Sequence, residues 1–184
     1  MAVKIAALGP LNLTDISESC GACAFWNLKT NENIERLLRE WGACGFLAYE
    51  DKVPAGFIVF GPAKYFPKSG LYPAGPISKD AIFIACVKVV PDMIGRGIGK
   101  RLLVAAETEA ARRGFAALEA IAARDDDKPP AVPVGFYTGQ GFFIIKDDRR
   151  HPRVRLDIKS LSARPEKNAA VFERTRTWIS PTNA

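Results

Sequence analysis

The chain has 184 residues, of which 48% are hydrophobic and 25% charged, and its formal net charge is +6. This length suits one domain with one core, and the average composition excludes disordered and collagen-like chains. No run approaches the roughly 18 apolar residues that a membrane-spanning helix needs, and residues 1–13 carry no secretory signal, so we expect a cytoplasmic protein without membrane contact.

The positive charge is concentrated near the C-terminus. Residues 146–184 hold ten of the 26 basic residues but only five of the 20 acidic ones. Such a tail binds nucleic acid or an anionic cofactor, forms a solvated surface, or docks as an arm on a second subunit of a homodimer. No zinc-finger spacing, aromatic RNA-binding signature or heptad-linked basic helix accompanies the charge, so we do not expect nucleic acid as the partner.

Apolar patterns predict strands and one helix in the first part of the chain. Residues 3–8 form the first predicted strand, and apolar residues at helical spacing predict a helix at 31–41. The runs 45–50 and 55–60 indicate an antiparallel hairpin with a four-residue loop. The proline-rich loop 61–76 is long for a compact domain, which favours a functional lip.

Residues 81–87 are apolar throughout, which favours a central strand covered on both faces. The further predicted elements are a helix at 97–113, a strand at 115–122, a short helix at 133–140, a hairpin of strands at 142–146 and 153–158, and a helix in the tail at 168–178.

The most informative segment joins the buried strand to the following helix. Residues 89–100 are Val-Val-Pro-Asp-Met-Ile-Gly-Arg-Gly-Ile-Gly-Lys. Glycines let a backbone approach a ligand closely, and a helix start presents unpaired N–H groups, so the segment predicts an anion site with phosphate as the natural ligand. Neither the P-loop spacing nor the dinucleotide-binding spacing of glycines fits these letters. A turn needed only for tight packing of helix on strand is the alternative.

Two motifs resemble those of the GNAT superfamily of acyl-CoA-dependent N-acyltransferases. The first is the acetyl-CoA-binding motif of that family, which matches here at Val89, Pro91, Gly97 and Gly99. Ile94 departs from it, because the family usually has Arg or Gln there. The second is the family's closing motif, which resembles Phe-Tyr-Thr-Gly-Gln-Gly-Phe at 136–142.

The resemblance covers nearly all of the chain except the tail. It implies an α/β fold over residues 1–158, with a mixed, mostly antiparallel twisted sheet that is flanked by helices and splayed beside the glycine turn. Residues 159–184 would be a basic C-terminal extension that is helical or docks on a partner subunit.

The resemblance also implies acetyl-CoA as the cosubstrate. The backbone of Val87, Lys88 and Val89 would pair with pantetheine and polarise the acyl carbonyl. The pyrophosphate would be held by the amides of Ile94, Gly95, Arg96, Gly97, Ile98, Gly99 and Lys100. We expect the side chains of Arg96, Lys100 and Arg101 to supply positive charge there.

Two residues are candidates for proton transfer. The family's general acid corresponds to Tyr137, whose phenol is protonated at neutral pH; an aromatic packing residue is the alternative. We predict Glu119 as the base, since strand alternation puts it on an otherwise apolar face with Phe115, Ala117 and Ile121. A salt-bridged or edge-exposed acid is the alternative.

The cysteines allow more than one interpretation. Cys20 and Cys23 form a Cys-x-x-Cys pair that is a set of structural thiols, a redox pair or half of a zinc site. Cys44, Cys86 and His151 do not supply a second close pair, so we predict no metal site. We expect His151 to be a solvated turn residue.

Aromatic residues surround the long loop. They either wall an acceptor pocket or belong to the core, and they are Phe60, Tyr65, Phe66 and Tyr72.

These observations predict an enzyme that moves an acetyl group from acetyl-CoA to a primary amine, on a small molecule or a protein, by direct transfer in a ternary complex. One alternative is a non-catalytic acyl-CoA-binding module. Another is a cysteine-based redox or zinc sensor on the same fold.

Overall fold

A computed structural model of the chain describes residues 2–16, 30–124 and 132–158. Within them, seven strands form one sheet: β1 (Val3–Ala7), β2 (Gly45–Glu50), β3 (Val53–Gly61), β4 (Ala81–Val89), β5 (Ala117–Ile121), β6 (Phe143–Lys146) and β7 (Arg153–Asp157). The α-helices of these residues are α1 (Thr30–Trp41), α2 (Ile98–Arg112) and α3 (Val134–Thr138). The predicted tail helix and the pair Cys20 and Cys23 lie outside the described residues.

The strands lie in the order β1-β2-β3-β4-β5-β7-β6. Every neighbouring pair is antiparallel except β4 and β5, which are parallel. The parallel pair is connected through α2, as a parallel connection requires a crossover. The α/β fold with a mixed, mostly antiparallel sheet is therefore confirmed.

The hairpin between β2 and β3 is tighter than the predicted four-residue loop. Only Asp51 and Lys52 form the turn, and both have positive φ, at 50° and 70°. This is the condition for a type I′ turn, whose twist matches that of the flanking strands. Val53 and Pro54 therefore belong to β3, where they pair with the end of β2.

Hydrophobic residues cover both faces of the sheet. One face, which we call the α1 face, packs against α1 and the β3–β4 loop, with Ile34, Leu37, Phe66 and Phe83 among its buried residues. The other, the α2 face, packs against α2 and α3, with Phe60, Ile82, Leu102 and Tyr137 among its buried residues. Because β4 is buried up to Cys86, the prediction of a central strand covered on both faces is confirmed.

The β3–β4 loop, residues 62–80, is held against the α1 face. The Phe66 ring contacts the Phe83 ring of β4, with centroids 5.4 Å apart. Farther along, Lys146 Nζ donates a hydrogen bond to the Gly75 carbonyl at 3.1 Å, and Arg153 donates to the carbonyl of Pro76. The loop thus runs across the middle of the sheet and reaches the β6–β7 hairpin.

Replacing Gly56 of β3 with alanine tests how closely β3 and β4 pack. A Cβ at this position would lie 2.5 Å from the backbone oxygen of Lys88, so the two strands must separate. We expect the free energy of unfolding to fall by about 1–3 kcal/mol, the range for overpacked sites. Urea unfolding of Gly56→Ala against Gly70→Ala, where a Cβ would meet nothing within 4 Å, measures the effect. Equal midpoints for the two variants would contradict this packing.

Candidate functional site

The sheet opens between β4 and β5. Their pairing joins residues 81–84 to residues 117–120, whereas β4 continues to Val89. A bulge lies at the point of separation, because Ile84 pairs with Phe60 and Cys86 pairs with Val59, which leaves Ala85 between them. A bulge bends its strand, so it directs the end of β4 away from β5. The sheet is therefore splayed beside the glycine turn, as predicted.

The predicted pantetheine-binding residues lie in this separated part of β4. The first six residues of the strand are buried, whereas Val87, Lys88 and Val89 are partly exposed. Val87 and Val89 pack at the margin of the α2 face. The change in burial means that the end of β4 is the part of this central strand that a ligand can reach.

The glycine turn connects β4 to α2. Gly95 and Gly97 have positive φ, at 85° and 76°, and Gly97 is the N-cap residue of α2 without any side-chain cap. A Cβ on either glycine would meet no atom of the described residues within 4 Å. The turn is therefore open on the side where side chains would project, beside a helix start whose first amides carry no side-chain acceptor.

The basic side chains near this turn do not all face it. Arg96 Nη1 donates a hydrogen bond to Glu50 Oε2 at 2.7 Å, and the Glu50 carboxylate is buried. Glu50 therefore offsets part of the positive charge that the sequence predicts Arg96 to supply to the turn. Arg101 is directed to the edge of the sheet, where its guanidinium donates to the Val3 carbonyl at 3.4 Å. Lys100 is exposed and forms no ion pair among the described residues.

Tyr137 lies in α3 on the α2 face, close to the open end of β4. Its side chain is only 2% exposed and packs against Phe142 and Phe136, with ring centroids 5.1 and 5.5 Å away. Burial raises the pKa of the Tyr137 phenol far above its usual value, and the electrostatic influence of Cys86 in β4 raises it further. The phenol is therefore protonated at every working pH, as a proton donor must be.

A direct contact joins the two sequence motifs. A Cβ on Gly99 would lie 3.0 Å from Cε2 and 3.1 Å from Cζ of the Phe136 ring. Gly99 is thus the position at which α3 packs on the first turn of α2, and this packing places Tyr137 next to the glycine turn. The sequence motif did not distinguish the three glycines. In the structure, Gly99 packs against Phe136, whereas Gly95 and Gly97 are open.

Glu119 is completely buried in the middle of β5, and Ala117 and Ile121 lie on the α1 face as predicted. The prediction was wrong for Phe115, which precedes β5 and packs against the α2 face. Glu119 Oε2 accepts a hydrogen bond from the Ser78 amide at 3.0 Å, and Glu119 Oε1 accepts one from Arg155 Nη1, also at 3.0 Å. A second guanidinium lies close by, with Arg153 Nη1 3.4 Å from Oε2. The environment of Glu119 is therefore that of a salt-bridged acid, which was the alternative interpretation.

The aromatic residues near the loop separate into two groups. Phe60, Phe66 and Tyr65 are buried core residues. Tyr72 is partly exposed and meets His151 edge to face, with ring centroids 5.1 Å apart. His151 is therefore not the solvated turn residue that the sequence predicted but one wall of a groove.

Sequence reasoning missed contacts between distant positions. The Tyr49 hydroxyl donates a hydrogen bond to Asp15 Oδ2 at 2.5 Å, and Glu50 pairs with Arg96 across 46 positions. No local pattern around either acid signals such a partner. Only the β2–β3 hairpin, which the sequence did predict, indicates that these residues lie near the end of β4.

Metal-binding clusters and membrane-spanning helices are absent from residues 2–16, 30–124 and 132–158, the ranges that the structure describes. These residues contain no group of three or more His, Cys, Asp or Glu side chains that could hold a metal ion. Cys44 and Cys86 form no disulfide within these ranges, and burial raises the pKa of Cys44 to about 12. No helix in these ranges is both long and apolar enough to cross a bilayer.

The sequence matches the family model described as the acetyltransferase (GNAT) family over residues 12–142, which is more than half of the chain. A search of curated protein sequences finds no match.

Solved structures resemble the fold. The PaiA N-acetyltransferase from Thermoplasma acidophilum in complex with coenzyme A has a TM-score of 0.55 and 19% identity, with 85% of this chain and 99% of that chain covered. A putative GNAT acetyltransferase from Desulfovibrio desulfuricans has a TM-score of 0.59 and 19% identity, with 85% of this chain and 99% of that chain covered. The ribosomal-protein-S18-alanine N-acetyltransferase from Escherichia coli has a TM-score of 0.53 and 15% identity, with 85% of this chain and 94% of that chain covered. Identities this low show similarity of fold alone.

Replacing Glu119 with glutamine tests its role in the sheet. The variant keeps a side chain of the same shape but leaves the guanidinium groups of Arg153 and Arg155 without their buried countercharge. Breaking a buried pair from one side costs about 3–5 kcal/mol, so we expect a large loss of unfolding free energy. Chemical denaturation measures it, with Glu40→Gln on the exposed surface of α1 as the control. A variant as stable as the control would show that these ion pairs do not hold the loop.

Proposed function

This chain belongs to the GNAT acetyltransferase family, and we propose that it transfers an acetyl group from acetyl-CoA to a primary amine. The observation that carries the proposal is the separation of β4 from β5 directly before an open glycine turn. The separation exposes the end of a central strand, and the turn offers amides to an anion. A cosubstrate with a pyrophosphate at one end and an extended arm at the other fits both features.

The backbone would bind most of the cosubstrate. We assign the pantetheine arm and the polarisation of the acyl carbonyl to Val87, Lys88 and Val89, which are partly exposed. The pyrophosphate is assigned to the amides of Ile94, Gly95, Arg96, Gly97, Ile98, Gly99 and Lys100. Main-chain amides do this without an arginine at position 94, and the pairing of Arg96 with Glu50 fixes the conformation of the turn rather than adding charge to it.

The chemistry is direct transfer in a ternary complex. A neutral amine attacks the thioester carbonyl, a C–N bond forms, the C–S bond breaks, and the departing thiolate takes a proton. Tyr137 is the proton donor in this proposal, because its phenol is buried beside β4 and stays protonated. A single positioned acid of this kind typically contributes 10²–10⁴-fold to the rate.

The environment of Glu119 argues against a role as the base. Both carboxylate oxygens of Glu119 are already occupied by an amide and by guanidinium groups. We therefore propose that Glu119 holds the β3–β4 loop and does not take the proton from the amine. The acceptor's ammonium form would lose one proton to water and enter as the free base. As the C–N bond forms, the nitrogen would release a second proton to water, which balances the proton that Tyr137 gives to the thiolate.

Titration of the purified protein tests the cosubstrate first. Isothermal titration with acetyl-CoA and CoA, with NADH as the control dinucleotide, is followed by thiol release with a panel of amines. Binding of acetyl-CoA with thiol release for one class of amine supports the proposal. Binding without turnover for any amine favours the non-catalytic acyl-CoA-binding module, and no binding of CoA would overturn the assignment of the glycine turn.

Replacing Gly97 with phenylalanine tests the phosphate assignment. The new side chain would project into the open side of the turn, so we expect the affinity for acetyl-CoA to fall by more than about tenfold. Positive φ also strains the variant, and Gly114→Phe is the matched control, since Gly114 has a φ of 77° and equally open surroundings after α2. Equal affinities of the two variants in calorimetry would remove the turn as the binding site.

Tyr137→Phe removes only the buried hydroxyl. We expect kcat to fall about 100-fold while the dissociation constant of acetyl-CoA changes little, since the proton is needed only as the thiolate leaves. Steady-state kinetics and calorimetry separate the two effects. Tyr65→Phe, which removes a hydroxyl from a buried tyrosine on the α1 face, serves as the control. Full turnover by Tyr137→Phe would exclude it as the acid.

A further inference from the structure

A groove of about 310 Å³ lies between the β3–β4 loop and the turn that joins β6 to β7. Its lining residues are Lys68, Leu71, Tyr72, Pro73 and His151. Much of the lining is apolar, with two polar groups of basic character. A concave surface of this composition is typical of sites that bind small molecules.

The groove lies at the open end of β5. The carbonyl of Pro152, next to His151, accepts a hydrogen bond from the Ala122 amide at 2.9 Å, and Ala122 directly follows β5. The pairing of β5 with β4 ends only two residues earlier, at Ala120. The groove therefore lies near the end of β5, on the side of that strand that pairs with β7.

The two faces of the sheet divide the reactants. The glycine turn leads into α2, and Tyr137 lies with α2 on the α2 face, so the cosubstrate is handled from that face. The β3–β4 loop, with Tyr72, covers the α1 face. An amine that meets the acyl group from the side opposite to the cosubstrate would approach along this loop and pass the groove.

The acidic residues near the groove are already engaged. Asp147 pairs with Arg124. Asp148 accepts hydrogen bonds from the amides of Arg150 and His151, at 2.9 and 2.6 Å, and these amides hold the pKa of Asp148 below its usual value. Within the described part of the chain, no contact joins either carboxylate to the ammonium group of Lys68.

The basic residues are not balanced in the same way. Lys68 is partly exposed and forms no ion pair among the residues that the structure describes. The side chains of Arg149 and Arg150 are exposed and form none within those ranges either. The groove lining therefore contains an ammonium group that no carboxylate of the described residues pairs with, and such a group attracts anions.

We propose that this groove binds the acceptor amine at the end remote from its nitrogen, and that the acceptor combines an apolar body with a carboxylate. The carboxylate pairs with Lys68 and His151, and the apolar body packs on Leu71, Tyr72 and Pro73. One ammonium and one imidazole match a single negative charge, whereas a phosphate dianion would need more donors. The inference rests on the proposed acetyl transfer and names the class of its acceptor.

Binding of two matched probes tests the groove without turnover. N-acetylphenylalanine carries the carboxylate, and its carboxamide is a neutral probe of nearly the same shape. Calorimetry on the full chain in the presence of CoA is expected to show about tenfold tighter binding of the acid, the effect of one charge-assisted contact. Lys68→Glu should remove this preference and leave the affinity for CoA unchanged. Lys4→Glu, on the edge strand β1, makes the same change of net charge and should preserve the preference for the acid.

Kinetics then connect the groove with the reaction. Phenylalanine and phenylalaninamide serve as acceptors, and the rate with each acceptor is compared between the variants. Lys68→Glu should lower kcat/KM about tenfold for phenylalanine and little for phenylalaninamide. Equal binding of both probes, or equal losses for both acceptors, in a chain that still binds acetyl-CoA would overturn the groove alone. Absence of acetyl-CoA binding would instead overturn the proposed function and the acceptor assignment with it.

Discussion

Among the strands that the structure describes, the end of β4 pairs with β3 and not with β5, and the candidate site depends on this asymmetry. Residues 81–84 lie between β3 and β5, but beyond the bulge at Ala85 the strand follows β3 and leaves β5. The turn that follows must then redirect the chain into α2, and Gly95 and Gly97 supply the positive φ that it needs. One change in strand pairing thus places an accessible backbone, an open turn and a helix start within about fifteen residues.

The packing of two helices fixes Tyr137, the proposed acid, beside that turn. Gly99 has no side chain, so the Phe136 ring can lie against the first turn of α2, and Tyr137 is carried to the end of β4 by the same short helix. Burial among aromatic rings keeps the phenol protonated. The glycines of this segment therefore differ: Gly95 and Gly97 leave the turn open, and Gly99 allows close packing.

A buried carboxylate organises the opposite face. Isolated burial of Glu119 would be very costly, and its partners from β7 and from the β3–β4 loop offset that cost. Because Ser78 is one of these partners, the loop is fixed to the sheet near the opening, and Tyr72 is brought against His151. Glu119, which the sequence suggested as a catalytic base, thus determines where the groove lies.

The sequence by itself determined the local elements: the apolar run of β4, the glycine turn, α2 and the closing motif at 136–142. Periodicity and glycine spacing act over a few residues, so they can be recognised without a fold. The tertiary structure decided the partners of Glu119, the pairing of Arg96 with Glu50 and the contact of Tyr72 with His151. These residues lie 34 to 79 positions apart, and strand order and loop path alone bring them together, so no local pattern encodes whether an acid is paired or a cation is free.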